Sequence, residues 1–294
     1  MIVRQANPKA QTVIEPDQAV RVLSEVIGRS IIVAWRENVD QLTEALRAEG
    51  LDPEVQRGSY TNEQTTFTRV TRVLINHREA WKRAARHQDY TLICEADFVP
   101  CTGLGSLPIC WPLENALAWA YLYQGSPRIL AAIGKRPFLR GHTAPLVAYV
   151  INAKVAEIFL RFYDHELSLY NTHEYFAFDA HLQWFAMWQG AEAYMPLRHY
   201  GEHGGLPNPE HSKLARLPRS GTHRADNLVA PLTFMPQYAR GSKVRYIVER
   251  VRARAYGFGR LLMGRWIART DVYDFSVSAR FKMFMIGARR LLGV

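Results

Sequence analysis

The sequence predicts an α/β fold on a mostly parallel sheet flanked by helices, and three features of its first hundred residues carry that reading. Ser30–Trp35 (SIIVAW) and Tyr90–Cys94 (YTLIC) are short, apolar, β-branched runs of the kind buried in parallel sheets. Between them, Asn38–Arg47 sets Val39, Leu42 and Leu46 at helical spacing, with Gly50 placed to cap the turn. Thr65–His87 then reads as a long helix, with Phe67, Val70, Val73 or Leu74, His77, Trp81 and Ala84 along one stripe. Strands alternating with helices imply crossover connections within one sheet.

The remaining elements follow in order. Pro53–Arg57 is a short extended piece, and Ala116–Tyr123, Arg128–Ile133 and Ala144–Asn152 are strand candidates. Ala153–Tyr163 and His181–Gln189 read as helices, with Glu192–Met195 a short strand after them. Leu197–Arg240 is dense in Gly, Pro, His and Asn and reads as one long loop, a length usually tied to function. Two amphipathic helical stretches close the chain, around Lys243–Ala268 and Val277–Leu292. The expected organisation is one α/β domain over residues 1–240 and a basic helical tail over 241–294.

Composition is that of a folded protein: 294 residues, 48% hydrophobic and 22% charged. The first eleven residues are polar, without the apolar core of a secretory signal, and no run reaches the roughly 18 apolar residues a membrane span requires. The three cysteines, Cys94, Cys101 and Cys110, fit no zinc spacing and read as reduced thiols. The expectation is a cytoplasmic protein, peripheral at the inner face of a membrane.

The net charge of +10 is unevenly placed. Arg240–Val294 holds 13 Lys/Arg against Glu249, Asp271 and Asp274, so the whole excess sits in the tail. Val244, Ile247, Val248, Val251, Ala255, Phe258 and Leu262 recur every three or four positions, with Arg245, Arg250, Arg252 and Arg254 on other faces. Val277, Phe281, Met285 and Ala288 repeat the design against Arg280, Lys282, Arg289 and Arg290. Such helices suit an anionic membrane surface. The alternative is docking on the α/β domain with the arginines left in water. No fold or stacking motif points to nucleic acid.

The chemistry is concentrated in Tyr90–Pro100 (YTLICEADFVP). An apolar strand ending in Glu95-Ala96-Asp97 puts two carboxylates at i and i+2, leaving one face at the carboxyl end, where open α/β sheets bind ligands. Two oxygen ligands there suit Mg²⁺ or Mn²⁺ with positions left for phosphate oxygens. Gly103-Leu-Gly105 and Gly257-Phe-Gly259 lack the third glycine of a dinucleotide loop, and no phosphate-loop lysine motif exists.

Leu74–Pro100 (LINHREAWKRAARHQDYTLICEADFVP) resembles the core signature of glycosyltransferase family 25, which includes lipopolysaccharide and collagen galactosyltransferases. The matching positions are Asn76-His77, Trp81, Glu95-Ala96-Asp97 and Val99-Pro100, with Ala96 standing where the family usually carries a carboxylate. Gly141–Leu160 and Phe178-Asp179 are similar to later parts of the family pattern. The resemblance implies a GT-A fold, a uridine-diphosphate sugar donor such as UDP-galactose, and inverting transfer to a surface glycan or lipid-linked acceptor, lipopolysaccharide or capsule. It places Glu95, Asp97 and His77 at the donor and Glu95 and Asp97 on a divalent cation.

Inversion needs a base at the acceptor hydroxyl. Asp179, opening a helix, is the first candidate, with Glu174 and Glu202 as alternatives. Eight of ten histidines fall between His142 and His223, and His203, in a Gly-rich loop with Glu202, is the expected third cation ligand, with His211 second. Two other functional classes fit the same residues: a metal-dependent hydrolase, and a non-catalytic basic protein associated with membrane or nucleic acid.

Overall fold

The computed structural model describes residues 21–132, 138–206, 224–266 and 277–293. Its strands are β1 (Ile27–Ala34), β2 (Pro53–Arg57), β3 (Tyr90–Glu95), β4 (Phe98–Pro100), β5 (Ala118–Tyr121), β6 (Arg128–Ala132), β7 (Phe138–His142), β8 (Ala148–Ile151), β9 (Glu192–Pro196) and β10 (Gly201–His203). Its α-helices are α1 (Leu23–Val26), α2 (Asp40–Ala48), α3 (Arg69–Ala84), α4 (Ala153–Leu169), α5 (Phe178–Trp188), α6 (Lys243–Leu262) and α7 (Val277–Leu292).

Eight strands form one sheet in the order β2-β1-β3-β8-β5-β9-β7-β6. The pairings set β1, β2, β3, β5, β6 and β9 in one direction and β7 and β8 against them, so the α/β class and the prevailing strand direction match the expectation. β4 and β10 make a separate antiparallel ribbon, with Phe98 opposite His203.

Alternation along each strand builds two cores, one on either face. Ile31, Val33, Ile93, Trp119, Tyr121, Tyr149 and Ile151 face α3, α4 and α5 and pack on Leu74, Trp81, Phe159 and Leu182. Their neighbours Ile32, Ala34, Leu92, Cys94, Ala118, Ala120, Ala148 and Val150 face α2, where Leu42 and Leu46 meet them with Trp111. Covering both faces is what lets the central strands be apolar throughout.

Local chemistry sets where helices begin. Thr68 accepts from the Thr71 amide at the start of α3, Asn152 from Val155 at α4, and Ser242 from Arg245 at α6. Several bounds differ from the sequence reading. The 65–87 segment divides into a 3₁₀ turn at Gln64–Thr66 and α3, because the Thr68 cap starts a new helix. β7 was not anticipated: its Arg-Gly-His half interrupts the apolar signal of a strand. Leu197–Arg240 is not one loop, since it contains β10 and a 3₁₀ turn at Gln237–Ala239, short elements without periodicity. His211 lies outside the described residues.

The C-terminal helices dock on this body. Leu261, Trp266, Met283 and Leu291 belong to the core built by α3, α4 and α5. The two helices cross closely at reciprocal glycines: a β-carbon on Gly257 would lie 2.9 Å from Leu291, and one on Gly287 would lie 2.6 Å from Leu261. Two of the arginines expected in water, Arg250 and Arg290, turn inward instead. Arg250 contacts buried Glu202 at 3.2 Å, and Arg290, 1% exposed, donates to Asp226 and to the Leu197 carbonyl. Buried carboxylates require those partners, and this demand decides the orientation.

Candidate functional site

Residues from β3, α3 and the β4–β10 ribbon converge at the carboxyl end of the central strands. β3 ends at Glu95, and the chain turns through Ala96 and Asp97 before β4 begins. The two acids therefore do not leave one strand face as their spacing implied; Asp97 is set by the turn. They still converge, because β10 pairs with β4 and carries His203 to Asp97, His203 Nε2 lying 3.0 Å from Asp97 Oδ2. Ligand atoms of Glu95, Asp97 and His203 all lie within 4.8 Å of one another.

Backbone contacts hold this corner. The Gly204 amide donates to the Asp97 carbonyl at 2.7 Å, and Arg224 donates to the carbonyls of His203 and Gly205 at 2.7 and 3.0 Å. Burial alone would raise the Asp97 carboxyl, but His203, with Arg69 and Arg224, holds it below the usual carboxylate range. Burial opposes a charge on His203, yet the Asp97 contact outweighs it and lifts the imidazole above its ordinary value. Asp97 Oδ1 is buried without a hydrogen-bond partner among the described residues. Two carboxylates and an imidazole, with one carboxylate oxygen buried and unsatisfied among the described residues, fit a divalent cation.

His77 stands under Glu95 rather than in the cleft. It is wholly buried, and its Nε2 lies 3.3 Å from Glu95 Oε1. Trp81 Nε1 donates to the Tyr149 hydroxyl at 2.7 Å, so the hydroxyl proton goes to His77 Nδ1, 2.9 Å away, leaving Nε2–H for Glu95. His77 thus reaches the site only through Glu95, whose carboxylate it orients.

A cleft of about 490 Å³ opens beside the acids, lined by Trp35, Tyr60, Arg69, Arg72, Asn76, Glu95, Asp97, Gly205 and Gln237 among others. Trp35 keeps its ring exposed at the rim, with the Arg36 and Arg72 guanidinium carbons 4.3 and 5.4 Å from its centroid. Asn76 donates to the Ala34 carbonyl at 2.8 Å, while its Oδ1 and Arg72 Nε are buried without partners among the described residues. Trp35, Tyr60, Arg69 and Arg72 were missed by the sequence reading. Arg69 and Arg72, three apart at the start of α3, had a legible signal in their shared helix face.

The remaining candidates are placed as follows. Asp179 is in the first turn of α5 and accepts from the Ala180 amide at 2.9 Å. It is not part of the cleft lining, although burial, with Glu95 acting in the same sense, pushes its carboxyl up to about 6. Glu202 is fully buried against Arg250, the Tyr238 hydroxyl and the Ala225 amide, a structural bracket for β10. Glu174 is exposed and accepts from Asn171. The Gly103 and Gly105 amides point at the Glu49 carboxylate, at 2.7 and 3.1 Å, so that glycine pair holds the protein's own anion. The three thiols are buried and their deprotonation is suppressed, Cys101 to about 11.

No protein-family model matches the chain, and no curated protein does. Among solved structures it is similar to a glycosyltransferase involved in the glycosylation of the major capsid of PBCV-1. Identity is 10% over 48% of this chain and 68% of that one, with a TM-score of 0.28. A likeness of that size assigns neither a family nor an activity.

Proposed function

We propose that the chain is a glycosyltransferase that moves a sugar from a nucleotide-diphosphate donor to a hydroxyl of a glycan or lipid-linked acceptor. One observation carries this reading: a single cleft is lined by Glu95 and Asp97, which His203 joins in a cation-fitting triad, and by two arginines, Arg69 and Arg72. A ligand that satisfies both signs at once carries anionic oxygens together with a positive charge, and a diphosphate chelating a divalent cation has that chemistry.

Glu95, Asp97 and His203 would hold the cation, and the chemistry it supplies when bound is neutralisation of charge growing on the leaving diphosphate. Arg69 and Arg72 act on the same charge from α3. Trp35 and Tyr60 offer flat faces for the nucleotide base, and the unpartnered Asn76 Oδ1 accepts from a base N–H. Asp179, outside the cleft lining but near enough to Glu95 to feel its charge, is assigned the acceptor-side base, its raised carboxyl suiting proton abstraction near neutral pH.

The test is donor turnover. Incubated with a panel of nucleotide sugars, the protein should release free nucleoside diphosphate from one donor, faster with Mn²⁺ and faster again with a glycan acceptor. Asp97→Asn should remove both the turnover and the Mn²⁺ effect. Silence across all donors, or an unaltered Asp97→Asn enzyme, would overturn the assignment; turnover that ignores acceptors would mark a hydrolase.

A further inference from the structure

α6 and α7 are amphipathic, but the body they dock on takes the mainly polar and small side of α6 and leaves an apolar row of each helix outside. Along α6 the inward positions are Arg250, Ala253, Gly257 and Leu261. The apolar side is left outside: Val244 is 72% exposed, Ile247 58%, Val251 64% and Leu262 75%, with Val248 also in solvent. At about 100° per residue these five side chains, with Ala255, fall within about 60° of one line along the helix. On α7, Phe281, Met285 and Leu292 form a second exposed row. Scattered exposed apolar residues are ordinary on a soluble protein, but continuous rows on adjoining helices are not.

Charge identifies the occupant. Arg245 and Arg252 flank the α6 row on one side and Lys243 lies on the other, all exposed, while exposed Lys282 and Arg289 border the α7 row. The neighbouring acid on α6, Glu249, is engaged by Arg252 at 2.9 Å. An apolar stripe with cations at its margins matches a bilayer interface, with acyl chains meeting the stripe and anionic headgroups meeting the Lys and Arg ends. A second copy fits less well, because its stripe would bring the same cations against these. No helix among the described residues is long and apolar enough to cross a membrane.

We infer that the outer faces of α6 and α7 lie on an anionic lipid surface. The cleft is close to that surface in the chain: Gln237 lines it, and the 3₁₀ turn Gln237–Ala239 leads directly into α6 through the Ser242 cap. Tyr238 also ties this turn to the site, its amide donating to the Gly204 carbonyl at 3.1 Å. A lipid-anchored acceptor held at the headgroups would thus be presented near the cleft. The surface assignment itself stands apart from the donor chemistry.

Flotation with vesicles tests it without any nucleotide sugar. The full chain should bind vesicles of phosphatidylcholine with phosphatidylglycerol and not pure phosphatidylcholine. Val248→Glu with Val251→Glu, both outward-facing, should lose binding while melting as the unaltered protein does. Arg245→Gln with Lys282→Gln should weaken binding by about fivefold per charge removed. Failure of the unaltered chain to bind the anionic vesicles would overturn the inference. So would a dimer, seen by light scattering, that the glutamate pair dissolves without affecting vesicles.

Discussion

Gly205 lies so close to Asp97 that a β-carbon built on it would sit 2.1 Å from Asp97 Oδ2. The backbone after β10 is therefore a wall of the cation corner, and any side chain there must push the carboxylate away. Gly205→Ala is expected to weaken Mn²⁺ binding by at least about tenfold, the scale of other supporting-residue changes at metal sites. Titration calorimetry on the folded variant measures this, and an unchanged affinity would show that Asp97 is not a ligand.

As a general base, Asp179 must be ionised, and its carboxyl stands at about 6. Turnover with acceptor should accordingly rise with pH through about 6 and level above it. Asp179→Asn should lower kcat by about 10²–10⁴ and flatten that rise. A variant that kept the limb would assign the proton transfer to another group.

His199 is predicted to make stability pH-dependent. The Gln124 amide donates to its Nδ1 at 3.1 Å, so the ring proton sits on Nε2, which faces Asp226 Oδ1 at 2.8 Å. Burial, with Arg290 and Arg250 nearby, outweighs the Asp226 attraction and lowers the imidazole to about 4. Between that value and the ordinary 6.5 of an unfolded histidine, the unfolded chain binds the extra proton. This contribution is complete above about 6.5 and is lost as pH falls towards 4, about 3 kcal/mol in all. Asp179 works in the opposite sense, because its raised carboxyl costs stability as pH climbs from the usual aspartate range to about 6. The effect is thus read as the difference between the unaltered protein and His199→Gln in urea melts across that window. Parallel pH profiles for the two would count against it.

The parts legible in the sequence were those with a sustained apolar signal. Short continuous apolar runs named β1 and β3, and the carboxyl end of β3 named Glu95 and Asp97. His203 was found by its company in a glycine-rich stretch, but the reason it reaches Asp97, a three-residue ribbon between β4 and β10, is too short to leave a pattern. The family resemblance put His77 at the donor; its contacts with the Tyr149 hydroxyl and with Glu95, which set it beneath the site, join residues too far apart in sequence to be read there. The tail displayed two faces without stating which would pack. That choice was made by Glu202 and Asp226, buried acids whose need for guanidinium partners outweighed the pull of a valine stripe inward.

Arg290 grips Asp226 from 64 positions away and the Leu197 carbonyl from 93. During synthesis, every proposed cation ligand leaves the ribosome before the guanidinium that holds Asp226 and the Leu197 carbonyl. Until then Asp226 has His199 but lacks the guanidinium that neutralises its charge. Proteolytic clipping before α7 would remove that grip while sparing every proposed cation ligand.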